Sequence, residues 1–330
     1  MQECNPSSSG ELKPATGEGS WLVLVNPRAG SGIPGGDLEK LSSRLDASDI
    51  PHRTVVTDSP EQLVDFASLA SGKGYCGVIG HGGDGTLSHA ASGLIHSRSP
   101  IPLTIVPRGT GNDWGRTVGI TSMSDTVAAI RDNRTVRLDA AECLVRDDDG
   151  SNIHSSIFIN SAGIGLDAHV LQMSIGLRKK YRLGRLGYIS TLFSTVLEMP
   201  RWEGAVRVDG ETVYRGPYLS LTSGVCRYVG GGMRLSPSSD PTDDMLDTAI
   251  VRPITRRNLI ASVHMIYRGT LLSHPAVSSW RGRVMELDSM GPVMMELDGE
   301  PVTDLPRNCT VILRSIPAAF LALRGPSGDM

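Results

Sequence analysis

From Trp21 onward, short apolar runs alternate with stretches of helical period, and each run ends in a loop containing glycine. Trp21–Val25, His52–Thr57, Cys76–Gly80 and Leu103–Val106 are predicted strands, with helices between them. The helix after the second strand carries its own start signals. Ser59 suits the cap, Pro60 the first turn, and Gln62 stands three residues after Ser59 as in a capping box. Strand and helix in regular alternation predict a parallel sheet flanked by helices over residues 21–137.

After Leu138 the texture changes. Strand-like segments recur around Cys143, Ile157, Val206, Leu219, Ile250, Val284 and Met294, separated by turns. Only two helices are predicted there, over Leu183–Leu197 and over Arg256–Tyr267, the second capped by Thr255. An antiparallel, β-rich second domain follows. Residues 1–20 are polar and rich in Ser, Gly and Pro, without signal-peptide regions, and read as a disordered leader.

Composition narrows the class. With 39% hydrophobic and 20% charged residues and a formal net charge of -3, the chain has a globular profile and lacks the basic excess of a general nucleic-acid binder. The five cysteines are scattered and never paired as C-x-x-C, which argues against a disulfide framework or a zinc site and for a reducing, cytoplasmic setting. No apolar run approaches the ~20 residues of a membrane span, so any membrane role is at its surface. A homo-oligomer is compatible with all of this.

The chemistry sits in the loops. The first strand runs into Asn26-Pro27-Arg28-Ala29-Gly30-Ser31-Gly32, whose glycines let the main chain approach a phosphate. The third is followed by Gly82-Gly83-Asp84-Gly85-Thr86-Leu87, where main-chain N–H groups can face phosphate oxygens and Asp84 can hold magnesium through water. It is not a P-loop, because the Lys and Ser/Thr are absent. The fourth strand delivers Pro107-Arg108-Gly109-Thr110-Gly111-Asn112-Asp113. Each loop alone can also be read as an ordinary turn; three at the carboxyl edge of one parallel sheet read as a ligand site.

In order along the chain, NPRAGSG, GGDGTL, PRGTGND, NSAGIGLDA from Asn160, VGGGMRLSP from Val229, TDDMLD from Thr242 and LDGEPV from Leu297 resemble the diacylglycerol kinase catalytic-domain family of lipid kinases. The resemblance extends over nearly the whole chain beyond the leader. It implies a phosphofructokinase- or NAD-kinase-like α/β domain, a β-rich lipid-substrate domain over 138–310, a segment 311–330 returning to the first domain, and an active site in the cleft between them. It implies ATP and Mg2+ as cofactors, with ATP contacted by Asn26, Pro27, Arg28, Gly30, Ser31, Thr57, Gly82 to Leu87, Gly109, Thr110 and Asn112. Asp84, Asp113 and Glu300 would hold the catalytic magnesium, Glu300 also acting as general base. Asp298-Gly299 is at the same time a strong turn signal, and such a turn projects the residue after it.

Two positions depart from the family pattern. Where the family has D-G-x-L-D, with a structural magnesium on the first Asp and nearby carbonyls, this chain has Asp243-Asp244, so Asp243 and Leu246 are ligand candidates beside an acid in the place of a glycine. His81 fills a position usually held by a small residue; it reads as a packed or solvent-facing histidine rather than a phosphate contact. Arg178, Lys179, Lys180, Arg182 and Arg185 border an apolar run; the charges suggest contact with anionic lipid and the apolar face packing on the second domain, the alternative for the charges being a solvated helix start. The resulting expectation is a lipid kinase that phosphorylates a membrane-lipid hydroxyl. An NAD-kinase-like enzyme and a catalytically silent lipid- or nucleotide-binding regulator are the alternatives; the acids Asp84, Asp113 and Glu300 argue against the last.

Overall fold

The computed structural model describes residues 11–27, 36–109, 111–181 and 200–326. The chain forms two units: Met1–Asp139 with Pro317–Met330, and Ala140–Ile316. It passes from one to the other twice, within β5 (Thr135–Arg146) and within β16 (Thr310–Leu323).

In the first unit, β1 (Trp21–Val25), β2 (His52–Val56), β3 (Gly77–Gly82) and β4 (Leu103–Pro107) form a parallel sheet in the order β2-β1-β3-β4. Trp21 lies level with His52 on one side and Gly77 on the other, and Val78 with Leu103. The end of β16 adds a parallel strand at Ala322, opposite Leu103. β1, β3 and β4 are buried along their whole length, which is why they read as unbroken apolar runs and not as alternation. Around the sheet lie α1 (Asp37–Asp46), α2 (Pro60–Ala70), α3 (Asp84–His96), α4 (Asp113–Val118) and α5 (Met123–Asp132). α2 starts as its sequence predicts: the Gln62 N–H donates to Ser59 Oγ. The reciprocal bond is shifted by one residue, the Gln62 amide oxygen accepting from the Asp58 N–H at 2.8 Å. α3 packs against α2 at Gly93, where an added Cβ would stand 2.3 Å from the Val64 carbonyl oxygen.

The second unit is antiparallel. One sheet runs β12-β11-β10-β7-β14-β15, formed by β7 (Ser161–Gly165), β10 (Ser220–Gly224), β11 (Leu246–Val251), β12 (Val277–Gly282), β14 (Met295–Leu297) and β15 (Glu300–Val302). The other strands are β6 (Asn152–Phe158), β8 (Trp202–Val208), β9 (Glu211–Tyr218) and β13 (Val284–Ser289), with β13 pairing both β8 and the first half of β16. The helix over Arg256–Arg268, here α7, carries the predicted Thr255 cap. A further helix, α6 (Leu166–Tyr181), was not predicted: Asp167 and His169 interrupt its apolar stripe. The predicted helix Leu183–Leu197 lies outside the described residues, as do Arg182 and Arg185.

Candidate functional site

In the first unit, three loops meet at the carboxyl edge of the parallel sheet. At the end of β1, the Asn26 N–H donates to the His81 carbonyl at 3.2 Å, and its side-chain Nδ2 donates to Thr86 Oγ1 at 3.1 Å. Pro27 follows, half-buried, whereas Arg28, Gly30 and Ser31 lie outside the described residues, as does Thr110. Thr57, buried just past β2, is tied to the same edge through bonds from its N–H and its hydroxyl to the Val25 carbonyl.

The β3 and β4 loops are built against each other. The Arg108 N–H donates to the Gly82 carbonyl at 2.7 Å. A Cβ on Gly83 would come 2.9 Å from Gly109 Cα, and one on Gly109 2.6 Å from Gly83 Cα, so glycine is required at both by close backbone approach. Gly82 is equally constrained, with Thr86 Oγ1 2.2 Å from its virtual Cβ. Asn112 sits in the left-handed region (φ 54°) and closes the loop by accepting the Gly109 N–H and donating to the Gly109 carbonyl.

α3 begins at Gly83, which has no side chain to cap it, so the N–H groups of Asp84, Gly85 and Thr86 form the helix start. Leu87 is buried and anchors that first turn in the core. Asp84 accepts the Trp114 N–H at 3.1 Å, which brings the starts of α3 and α4 together; Asp113 heads α4, buried, with Arg116 at 2.8 Å. Asn26, Gly82 to Leu87, Gly109, Asn112 and Asp113 are therefore one cluster. Two residues in it were absent from the predicted set. Asp37 and Arg108 form an ion pair at 2.5 Å, and His81, fully buried, bonds Asp37 at 2.9 Å.

Glu300 belongs to the second unit. Asp298 (φ 51°) and Gly299 (φ 83°) make the tight turn between β14 and β15, and Glu300 follows it, exposed, opposite Leu297. The turn also has a structural duty. The Asp298 carboxylate accepts the N–H groups of Ile159, Asn160 and Ser161 at 2.8–3.1 Å, pinning the start of the NSAGIGLDA segment.

Behind the turn lies a buried acid pair. Glu296 accepts the Gly299 N–H at 2.6 Å, and burial, with Asp167 and Asp298 nearby, pushes its carboxyl up to about 8. Asp167 is raised by burial too, against hydrogen bonds from the Thr222 and Ser220 hydroxyls at 2.8 and 2.9 Å. Asp167, Ser220 and Thr222 form the polar end of a cavity of about 70 Å³ walled by Leu166, Leu219, Val251 and Ile254 and by Leu259 and Val263 of α7.

At the predicted structural-metal position the two acids are matched by arginines. Asp243 accepts the Met245 N–H at 3.0 Å with one oxygen and binds Arg281 with the other; Arg281 also reaches Asp247 at 3.3 Å. Asp244 adopts the left-handed conformation (φ 62°) that suits the glycine of the family pattern, and spends its carboxylate on Arg283 at 2.7 Å and the Ser315 hydroxyl at 3.1 Å. Leu246 opens β11, buried, opposite Gly282. With a guanidinium already on Asp243, these residues do not fit a cation.

The Diacylglycerol kinase catalytic domain model matches residues 20–143, and the YegS C-terminal NAD kinase beta sandwich-like domain model matches residues 160–321. The chain belongs to the diacylglycerol kinase catalytic-domain family of lipid kinases. It is 25% identical over 312 residues to a diacylglycerol kinase of Mycobacterium tuberculosis, covering 94% of this chain and 96% of that one. A solved diacylglycerol kinase from Bacillus anthracis has the same fold, with a TM-score of 0.72 at 22% identity over 94% of this chain and 98% of that one. Yeast NADH kinase shares the architecture more distantly, with a TM-score of 0.52 at 11% identity over 95% and 86% of the two chains. Among the described residues, no helix is long and apolar enough to cross a membrane.

Proposed function

We propose that this protein transfers the γ-phosphate of ATP to a hydroxyl of a membrane lipid such as diacylglycerol. The observation that carries the reading is the convergence of the three loops in the first unit. Glycines pressed to backbone contact, an uncapped helix start and two neighbouring carboxylates are what a polyphosphate with its cation requires. Asp84 and Asp113 are hard oxygen donors on adjoining helix starts and fit a magnesium ion, which would screen phosphate charge when bound. Among the described residues no three His, Cys, Asp or Glu side chains gather as a metal cluster, so such an ion would complete its shell with phosphate oxygens and water.

Glu300 follows a turn that leaves it exposed, and its role in this reading is to accept the proton of the attacking hydroxyl. The cavity in the second unit favours a lipid over a dinucleotide as acceptor. Its walls are aliphatic, and its polar end offers hydroxyls and an acid, Asp167, whose pKa burial raises. Contact of Arg178, Lys179, Lys180, Arg182 and Arg185 with anionic lipid belongs to the same proposal. The test is transfer of label from γ-labelled ATP to diacylglycerol, to mixed extracted lipids, and to NAD. Label in a lipid phosphate is the expected result; label in NADP, or in no product with any acceptor, overturns it.

A further inference from the structure

Asp37 lies 44 residues before His81 and 71 before Arg108, yet its carboxylate joins both. It opens α1 immediately after Gly36, which holds φ 75°. Its side chain is 9% exposed, that of His81 1%, and that of Arg108 33%. Each partner stands at the root of a glycine loop: His81 directly before Gly82-Gly83-Asp84, Arg108 directly before Gly109.

The proton positions follow from the donors. A carboxylate only accepts, so His81 Nε2 carries the hydrogen toward Asp37. Burial lowers the His81 pKa, against the pull of Asp37, which favours the neutral ring. Asp37 is then opposed by one full positive charge, that of Arg108. Only one guanidinium nitrogen of Arg108 meets Asp37, and among the described residues neither its buried Nε nor His81 Nδ1 has a hydrogen-bond partner. Donors of a guanidinium left unspent beside two phosphate-type loops call for an anionic acceptor.

We propose that Arg108 is a phosphate-binding residue of the nucleotide site, and that Asp37, braced by His81, is the positioning residue that aims it. This rests on the nucleotide reading above. Arg108 supplies a cation at the root of the β4 loop, in the absence of a P-loop lysine, and Asp37 fixes its fork beside the Gly83–Gly109 backbone contact. His81, at a position the family usually fills with a small residue, holds the second oxygen of Asp37 so that the carboxylate cannot turn away.

Calorimetry on the full chain with magnesium and, in turn, adenosine, AMP, ADP and ATP tests it. For the wild type, affinity should climb along that series. Arg108→Ala should lower ATP affinity roughly 10- to 100-fold while leaving adenosine unchanged, and Arg108→Lys should restore part of the loss. Asp37→Asn should give an intermediate loss. His81→Gln, whose amide can still donate to Asp37, should bind ATP better than His81→Ala. Melting temperatures on the same samples separate loss of fold from loss of contact. A wild type that binds none of the four overturns the nucleotide reading itself. A wild type with a rising series that Arg108→Ala leaves intact, or lowers equally for adenosine and ATP, overturns only the role of Arg108.

Discussion

The two units treat their acids in opposite ways. In the first, each site carboxylate is met by a donor: Asp37 by Arg108 and His81, Asp84 by the Trp114 N–H, Asp113 by Arg116. In the second, Glu296 and Asp167 are buried together with main-chain and hydroxyl donors but, among the described residues, without a cation, and both are pushed toward the neutral form. The difference separates a site prepared for negative charge from a region prepared for little charge at all. On the proposed reading, phosphates occupy the first and an uncharged, largely apolar acceptor the second.

The largest expected effect separates proton transfer from phosphate handling. Glu300→Gln should keep ATP binding and lose roughly 10²–10⁴-fold in kcat, the range of a lost general base. Asp84→Asn should weaken ATP–magnesium binding and turnover together. Binding and turnover measured on both variants decide it; near-normal turnover of Glu300→Gln on an identified lipid, with Asp84→Asn inactive but still binding ATP, would move the base to Asp84.

A pH experiment sharpens the contrast next. Glu296 has its pKa raised from 4.5 to about 8, so the folded state holds a proton that the unfolded state has released between those values. The stability it contributes is therefore full below about pH 4.5 and is lost as pH rises toward 8. Glu296→Gln removes that loss. Its melting temperature should exceed the wild type's at pH 8 and converge on it near pH 5. Parallel curves across the range would mean that Glu296 is already ionised.

The smallest effect concerns the arginines. Arg281→Ala leaves Asp243 and the more buried Asp247 without their shared cation, but half of the arginine is exposed, so about 1 kcal/mol of stability is expected to go. The wild-type melting temperature should not respond to a chelator. The variant's should rise with added magnesium, which would take over the charge that Arg281 supplies. A wild type that melts earlier in chelator would restore a metal to Asp243.

How much of this was legible depended on distance along the chain. The three site loops are contiguous words, each written by a strand end and its glycines, and the β14–β15 turn is written by Asp298-Gly299 alone. The parallel sheet and the family could be read from them, and the fold and the family matches bear both out. Asp37 could not be read, because its partners lie 44 and 71 residues away and an acid in a first helical turn is ordinary dipole chemistry. The Asp167–Glu296 pair was hidden likewise: only the pairing of β7 with β14, Gly163 against Glu296, brings them together. Asp244 shows a third kind of limit. Its sequence position signalled a lost glycine, yet the residue keeps the glycine's backbone conformation and uses the new carboxylate on Arg283 and Ser315.

The double passage of the chain through β5 and β16 sets an order of manufacture. Residues leave the ribosome from the amino end, so all of Ala140–Ile316 emerges before Ala322, the residue that lies beside Leu103 in the first sheet. The unit that begins first is finished last. Through most of synthesis β4 waits with an open edge, the condition under which nascent sheets invite wrong partners. The antiparallel unit, whose strands are continuous in time, can close first and hold the final strand at its root, so that the last seven residues of β16 have only a short distance left to search.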